Sequence, residues 1–243
     1  MAGNQIPLVD WRFGDKYYIT EFVRPDTYEV VASAEKMRAR SAEQRVLNVA
    51  RWIRDDFYYP LDWRGQPSAD GQLLKSRKGI GSYHFKKCVP YMWLFPSECI
   101  MMKFGICIDT SLVATSVLIR LGIDSVVALG AVYDQRGNLL GYHAWTEFIL
   151  DGVRYVLETT IHEREVNNIM LAEDAYSGKY GIRYDKYAEF NHNKYIEHKP
   201  LAPLINFYGR KRREIKRVEL IKQRYIWDTY REISPLIAKV IKK

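Results

Sequence analysis

Cysteine is scarce in this 243-residue chain, which has only Cys88, Cys99 and Cys107. An odd number without a C-x-x-C pair excludes a disulfide framework and a zinc ribbon. Free thiols in a reducing compartment are the simpler reading, and one of them can then be reactive. Cys88 and Cys99 flank the aromatic stretch VPYMWLF and are expected to be small buried hydrophobes. Long apolar runs are missing too. The stretches from Tyr91 to Met102 and from Ser125 to Val132 are broken by Pro96, Glu98 or small residues, well short of the roughly 18 apolar residues a membrane span needs. No membrane association is expected. The start, MAGNQIPLVDW, has neither a cationic head nor an apolar run, so no secretory signal is expected and a cytoplasmic location is the default. No internal repeat is visible.

An excess of one charge is also missing from most of the chain. Residues 1–207 carry 25 Lys or Arg against 25 Asp or Glu, whereas residues 208–243 carry 12 against 4, which accounts for the whole net charge of +8. Hydrophobic residues make up 47% and aromatics 14%. A chain of this length and composition suits one elaborate domain, or a domain with extensions, with a sizeable core.

Residues 1–40 read as an irregular or strand-containing extension in which YYITEFV is a short alternating run. Ser41 followed by Gln44 forms a capping box, and Val46, Val49, Ala50, Ile53 and Phe57 recur at helical spacing, so a helix is predicted from Ser41 to about Tyr59-Pro60. Residues 61–83, rich in Gly, Ser, Asp and Lys, read as a long surface loop able to edge a substrate cleft. A second helix is predicted from Cys107 to Leu121, closed by Gly122. Its apolar residues cover most of the circumference, which marks a buried central helix. Three strands follow, at 125–133, 142–150 and 153–160, giving an α+β arrangement of a buried helix on an antiparallel sheet. Residues 161–207 read as mixed loops and short helices, and beyond Pro203 a basic helix is predicted.

The chemistry concentrates between Cys107 and Glu158. Asp151-Gly152 between GYHAWTEFIL and VRYVLETT is the preferred sequence for a two-residue type I′ turn. If Leu150 pairs with Val153, Trp145 faces Glu158 and His143 faces Thr160. His143 and Glu158 are then diagonal neighbours on one face of the sheet, close enough for the carboxylate to orient the imidazole. A cysteine attacks as thiolate, and a helix N-terminus favours negative charge. Gly105 would let the backbone turn into the helix with the sulfur exposed. His143 would serve as general base and then general acid. The oxyanion would rest on the Cys107 amide and a side-chain donor, for which Trp93, Tyr91 and Tyr59 are candidates. Asp109 reads as a capping side chain.

GICIDTSLVATSVLIRLGI, then GAVYD, then GYHAWTEFILDGVRYVLETT, resemble the core of the transglutaminase-like superfamily, relatives of the papain-like cysteine peptidases. The pattern is G-x-C, a buried helix ending in Leu-Gly-Ile, H-A-W, and an acid closing the next strand. The resemblance implies Cys107 as nucleophile, His143 as base and Glu158, where many relatives carry Asp, as third member. PSECIMMKFGICIDTS further resembles bacterial and phage-borne transglutaminase-like peptidases. The match runs from Val46 to Thr160, which implies a catalytic domain over 41–200, an N-terminal extension over 1–40 and a basic helical extension over 201–243. It implies a thioester intermediate formed on a protein or peptide substrate, and no cofactor, but not the acceptor: water, the favoured reading, would make this a peptidase or amidase, and a lysine amine would make it a protein crosslinker.

Two other classes compete: a metal site, and an interaction module whose triad is unused and whose basic C-terminal helix is the working surface. His162, Glu163 and Glu165, with His192 and His198, could offer metal ligands, but their spacing matches no standard motif. The cluster Arg210, Lys211, Arg212, Arg213, Lys216 and Arg217 could neutralise phosphates or face solvent while the helix docks a partner through its apolar stripe. With no aromatic or base-reading motif inside it, docking suits this segment better than nucleic-acid binding.

Overall fold

A computed structural model of the chain describes residues 6–10, 15–57, 93–103, 105–161 and 167–201. The elements run β1 (Leu8–Asp10), β2 (Lys16–Tyr18), a 3-10 turn (Ile19–Phe22), α1 (Tyr28–Met37), α2 (Ala42–Asp56), α3 (Pro96–Met102) and α4 (Cys107–Arg120). There follow β3 (Ser125–Asp134), β4 (Leu139–Leu150), β5 (Val153–Leu157), β6 (Ile169–Leu171), α5 (Ala172–Ser177), β7 (Ile182–Phe190) and β8 (Tyr195–Glu197). Among the described residues no helix is long and apolar enough to cross a membrane.

The sheet has the order β6-β5-β4-β3-β7-β8, with every neighbouring pair antiparallel. Strand β4 sorts its side chains between two layers. Ala144 and Phe148 join clusters built on α4, while Trp145 packs with Ala172 and Ala175 of α5 on the opposite face. The architecture is therefore α+β, with a buried helix on an antiparallel sheet. Helices α1, α2 and α3 surround α4. Burial of α4 on all sides follows from its sequence: from Cys107 to Leu118 every residue is buried.

Local chemistry sets the element ends. Ser41 Oγ accepts the Gln44 amide at 3.1 Å, while the Gln44 side chain donates to Asn48 instead of turning back, so half of the expected capping box forms. The helix stops at Asp56, a turn short of Pro60, with Phe57 buried as its cap. Helix α4 ends in a Schellman motif at Gly122 (φ 79°): Ile123 N donates to Leu118 O and Gly122 N to Ile119 O, both at 2.9 Å.

Three expectations need correction. Residues 1–40 contain strands, as one of the two readings allows, but also a helix that joins the core: α1 buries Val30 and Ala34, one turn apart, in the same cluster as α2 and α4. YYITEFV is only in part a strand: Ile19 and Phe22, three apart, are buried by a 3-10 turn, which repeats every three residues. Residues 161–207 hold more sheet than expected, since β7 pairs with β3 along its own whole length, from Val127↔Phe190 to Asp134↔Ile182. The surface loop at 61–83 and the basic helix lie outside the described residues.

Candidate active site

The turn between β4 and β5 fixes the geometry. Asp151 (φ 49°) and Gly152 (φ 77°) both adopt positive φ, as a type I′ turn requires. Leu150 pairs with Val153 and Thr146 with Leu157. This is the expected register, and it places His143, Trp145 and Glu158 on one face. His143 Nε2 donates to Glu158 Oε2 at 2.9 Å, with both side chains buried.

Glu158 is held by four hydrogen bonds. Oε1 accepts the Thr160 amide at 3.0 Å and its hydroxyl at 2.7 Å, and Oε2 accepts His143 and the Tyr184 hydroxyl, the latter at 2.8 Å. Burial alone would push this carboxyl up, but His143, Thr160 and Tyr184 outweigh it and hold the group below the usual carboxylate range. Burial likewise opposes charge on His143. The Glu158 carboxylate and the Cys107 side chain, which the ring also hydrogen-bonds, prevail and raise it to about 10. With Nε2 committed to Glu158, Nδ1 is the ring nitrogen left for the sulfur.

Cys107 is the first residue of α4. Asp109 Oδ2 accepts the Ile106 amide at 2.9 Å and Oδ1 accepts the Leu94 amide at 2.8 Å, so Asp109 caps the helix and ties it to the segment leading into α3. Gly105 is required for a reason the sequence did not reveal. A Cβ there would lie 2.6 Å from Asp109 Cβ and 3.0 Å from Cys99 Sγ, so the close turn has no room for a side chain. The sulfur is also not exposed as expected: Cys107 retains 5% of its accessible surface, within a cluster that includes Ile108, Trp93 and Phe95. Cys99 is a buried thiol, as expected, and burial together with Asp109 pushes it well above the ordinary thiol range.

Of the oxyanion candidates, Trp93 sits in the Cys107 cluster, stacked on Phe190 with centroids 6.1 Å apart. Tyr59 and Tyr91 lie outside the described residues, as do Arg210, Lys211, Arg212, Arg213, Lys216 and Arg217. The proposed metal ligands His162, Glu163 and Glu165 also lie outside them. Among the described residues no group of three or more His, Cys, Asp or Glu is placed to hold a metal ion, and His198 instead approaches Glu189 at 3.6 Å.

Sequence reasoning missed the surroundings of the pair. Thr160 and Tyr184 were not singled out, nor was the buried charge cluster beside them. There Glu147 accepts Trp145 Nε1 at 3.1 Å, Arg154 at 2.7 Å, Lys186 at 3.0 Å and the Tyr176 hydroxyl. Glu189 accepts Arg154 at 3.1 Å and Lys186 at 2.5 Å. Two buried carboxylates are thus neutralised by two cations that keep part of their surface in solvent. The position of Glu147, two residues beyond Trp145 on the same face of β4, was the available signal.

Among solved structures the chain is similar to LapG of Legionella pneumophila, at 14% identity over 70% of this chain and 77% of that one, with a TM-score of 0.44. It is also similar to a candidate cysteine protease of Cytophaga hutchinsonii, at 15% identity over 75% of this chain and 56% of that one, with a TM-score of 0.38. No curated protein matches it. The sequence profile described as Transglutaminase-like domain matches residues 28–176, more than half of the chain and a span that includes α1. The chain belongs to the transglutaminase-like domain family.

Proposed function

We propose that this chain is a cysteine-dependent acyl-transfer enzyme that hydrolyses peptide or amide bonds through a thioester on Cys107. The observation that carries this reading is the placement of one buried imidazole between a helix-starting cysteine and a buried carboxylate. An imidazolium beside the sulfur and the first-turn amides of α4 both favour a thiolate. The sulfur attacks the substrate carbonyl carbon, forming a C–S bond. The oxyanion rests on the Cys107 amide and a side-chain donor such as Trp93. His143 gives its Nδ1 proton to the leaving nitrogen as the C–N bond breaks. Water, losing a proton to the same nitrogen, then attacks the thioester; the acid leaves and the thiolate–imidazolium pair is restored. Glu158 keeps Nε2 occupied, so that Nδ1 alone exchanges protons.

Iodoacetamide labelling at mildly acidic pH, followed by peptide mapping, tests the first step. Cys107 should react faster than Cys88 and Cys99, and His143→Ala should abolish that advantage. Equal rates for the three thiols would sink the proposal. If labelling succeeds, mass analysis of a peptide substrate incubated with a primary amine separates the acceptors. Free acid supports hydrolysis, and an amine adduct identifies a crosslinker.

A further inference from the structure

We propose that Tyr184 is a positioning residue of this site, its hydroxyl holding the Glu158 oxygen on which the His143 ring rests. The inference builds on the function proposed above and assigns a role to a residue of β7, a strand outside the Cys–His–Glu pattern.

The two carboxylate oxygens of Glu158 differ in the donors they keep when the ring changes charge. Oε1 is served by two donors from Thr160, neither of which takes part in proton exchange. Oε2 is served by His143 and by Tyr184. In acyl transfer His143 passes through its neutral form, and the carboxylate then loses its cationic partner while remaining fully buried. A buried carboxylate with too few donors takes up a proton. It would then compete for the ring nitrogen it is meant to hold. Tyr184 is a donor that does not titrate in this cycle: burial and the adjacent Glu158 charge push its phenol well above the ordinary range. It keeps Oε2 satisfied throughout.

The placement of Tyr184 is over-determined. Its ring meets Trp145 edge-on, with centroids 5.1 Å apart at 78°. Trp145 is tied through Nε1 to Glu147, and Lys186, two residues along β7, donates to that same carboxylate. One buried carboxylate therefore fixes both the ring behind Tyr184 and the strand that carries it. Among the described residues, the titratable groups facing Glu158 are His143 from β4 and Tyr184 from β7, with Cys107 from α4 beyond His143 and Tyr176 from α5 beyond Tyr184.

Tyr184→Phe keeps the packed ring and removes only the hydroxyl. Carbon-13 titration of the Glu158 side-chain carboxyl in the full chain should show its midpoint rise by about one pH unit in the variant. The acid limb of Cys107 alkylation should move with it, while Thr20→Ala, a buried hydroxyl elsewhere, moves neither. A Glu158 titration unchanged by Tyr184→Phe overturns the proposal. The unmodified protein offers a check that needs no variant: the Tyr184 Cζ resonance should keep its phenol position past the ordinary tyrosine midpoint of about 10, and titration at that ordinary value also overturns it. A wild-type Cys107 no more reactive than the other thiols would instead refute the acyl-transfer reading, with the carboxyl titration still deciding the place of Tyr184.

Discussion

His143 Nε2 and Glu158 Oε2 lie 2.9 Å apart across a diagonal of the β4–β5 hairpin, and both side chains are removed from solvent. Their opposite shifts predict a pH window. His143 is raised from 6.5 to about 10, so its contribution to stability is complete below 6.5 and is lost as pH climbs through 10. Glu158 is lowered from 4.5, so its contribution is complete above 4.5 and is lost as pH falls through its folded value. Denaturant unfolding across pH should place the pair's maximal contribution between 4.5 and 6.5. In His143→Ala the alkaline decline should flatten, and a decline as steep as in the wild type refutes the pairing.

Glu158→Ala should cost about 3–5 kcal/mol near neutral pH, because it leaves the His143 imidazolium buried without its counter-charge. Urea unfolding measures this directly. A loss below about 1 kcal/mol would mean that the ring had found another partner.

Asp109→Ala should orphan the Ile106 and Leu94 amides together. Loss of the cap costs about 0.5–2 kcal/mol, and a buried donor without a partner costs about 1–3 kcal/mol more. Asp109→Asn, which keeps one acceptor oxygen, should fall between the wild type and Asp109→Ala in urea midpoint. The reverse order would show that the negative charge, rather than the acceptor geometry, is what counts.

Gly130→Ala tests how closely β3 and β7 approach. A Cβ at Gly130 would fall on the Asp185 carbonyl oxygen and 2.8 Å from Trp145 Cη2, at the bulge between Leu129 and Gly130. Overpacking of this kind costs about 1–3 kcal/mol. Thermal unfolding should show the loss, and near-ultraviolet circular dichroism should show Trp145 displaced. An unchanged midpoint would mean that the bulge yields freely.

Glu147→Ala should leave Lys186 and Arg154 facing only Glu189, at a cost of about 3–5 kcal/mol. Because Lys186 keeps only 14% of its side-chain exposure, the loss should differ little between low and high salt. A loss that vanishes at high salt would place the cluster effectively in water.

The site was readable in the sequence where its geometry is local. A two-residue turn sets the His143–Glu158 register without help from the rest of the fold, and the all-round apolar pattern of α4 announces its burial. The signal for α1 was also present, since Val30, Ala34 and Met37 follow a Pro25–Thr27 start, yet grouping residues 1–40 as an extension hid it. Strand β7 is harder to read for a physical reason. Lys186 and Glu189 look like solvent-facing charges, yet Glu189 is buried and Lys186 half-buried against it, and a bulge opposite Gly130 breaks the alternation between them. Tyr184 inherits that obscurity.

The strand order carries a consequence for assembly. His143 and Glu158 are joined by one tight turn, whereas β7 reaches β3 only after about 47 residues of intervening chain at Asp134↔Ile182 and about 62 at Val127↔Phe190. Contacts so distant in sequence close late, and a chain made from its amino end exposes the hairpin before the strand that backs it. Cys107, His143 and Glu158 should therefore meet first in an unfinished pocket, one wall of which arrives with β7. Pulse-labelled hydrogen exchange during refolding should protect the β4–β5 amides ahead of those in β7.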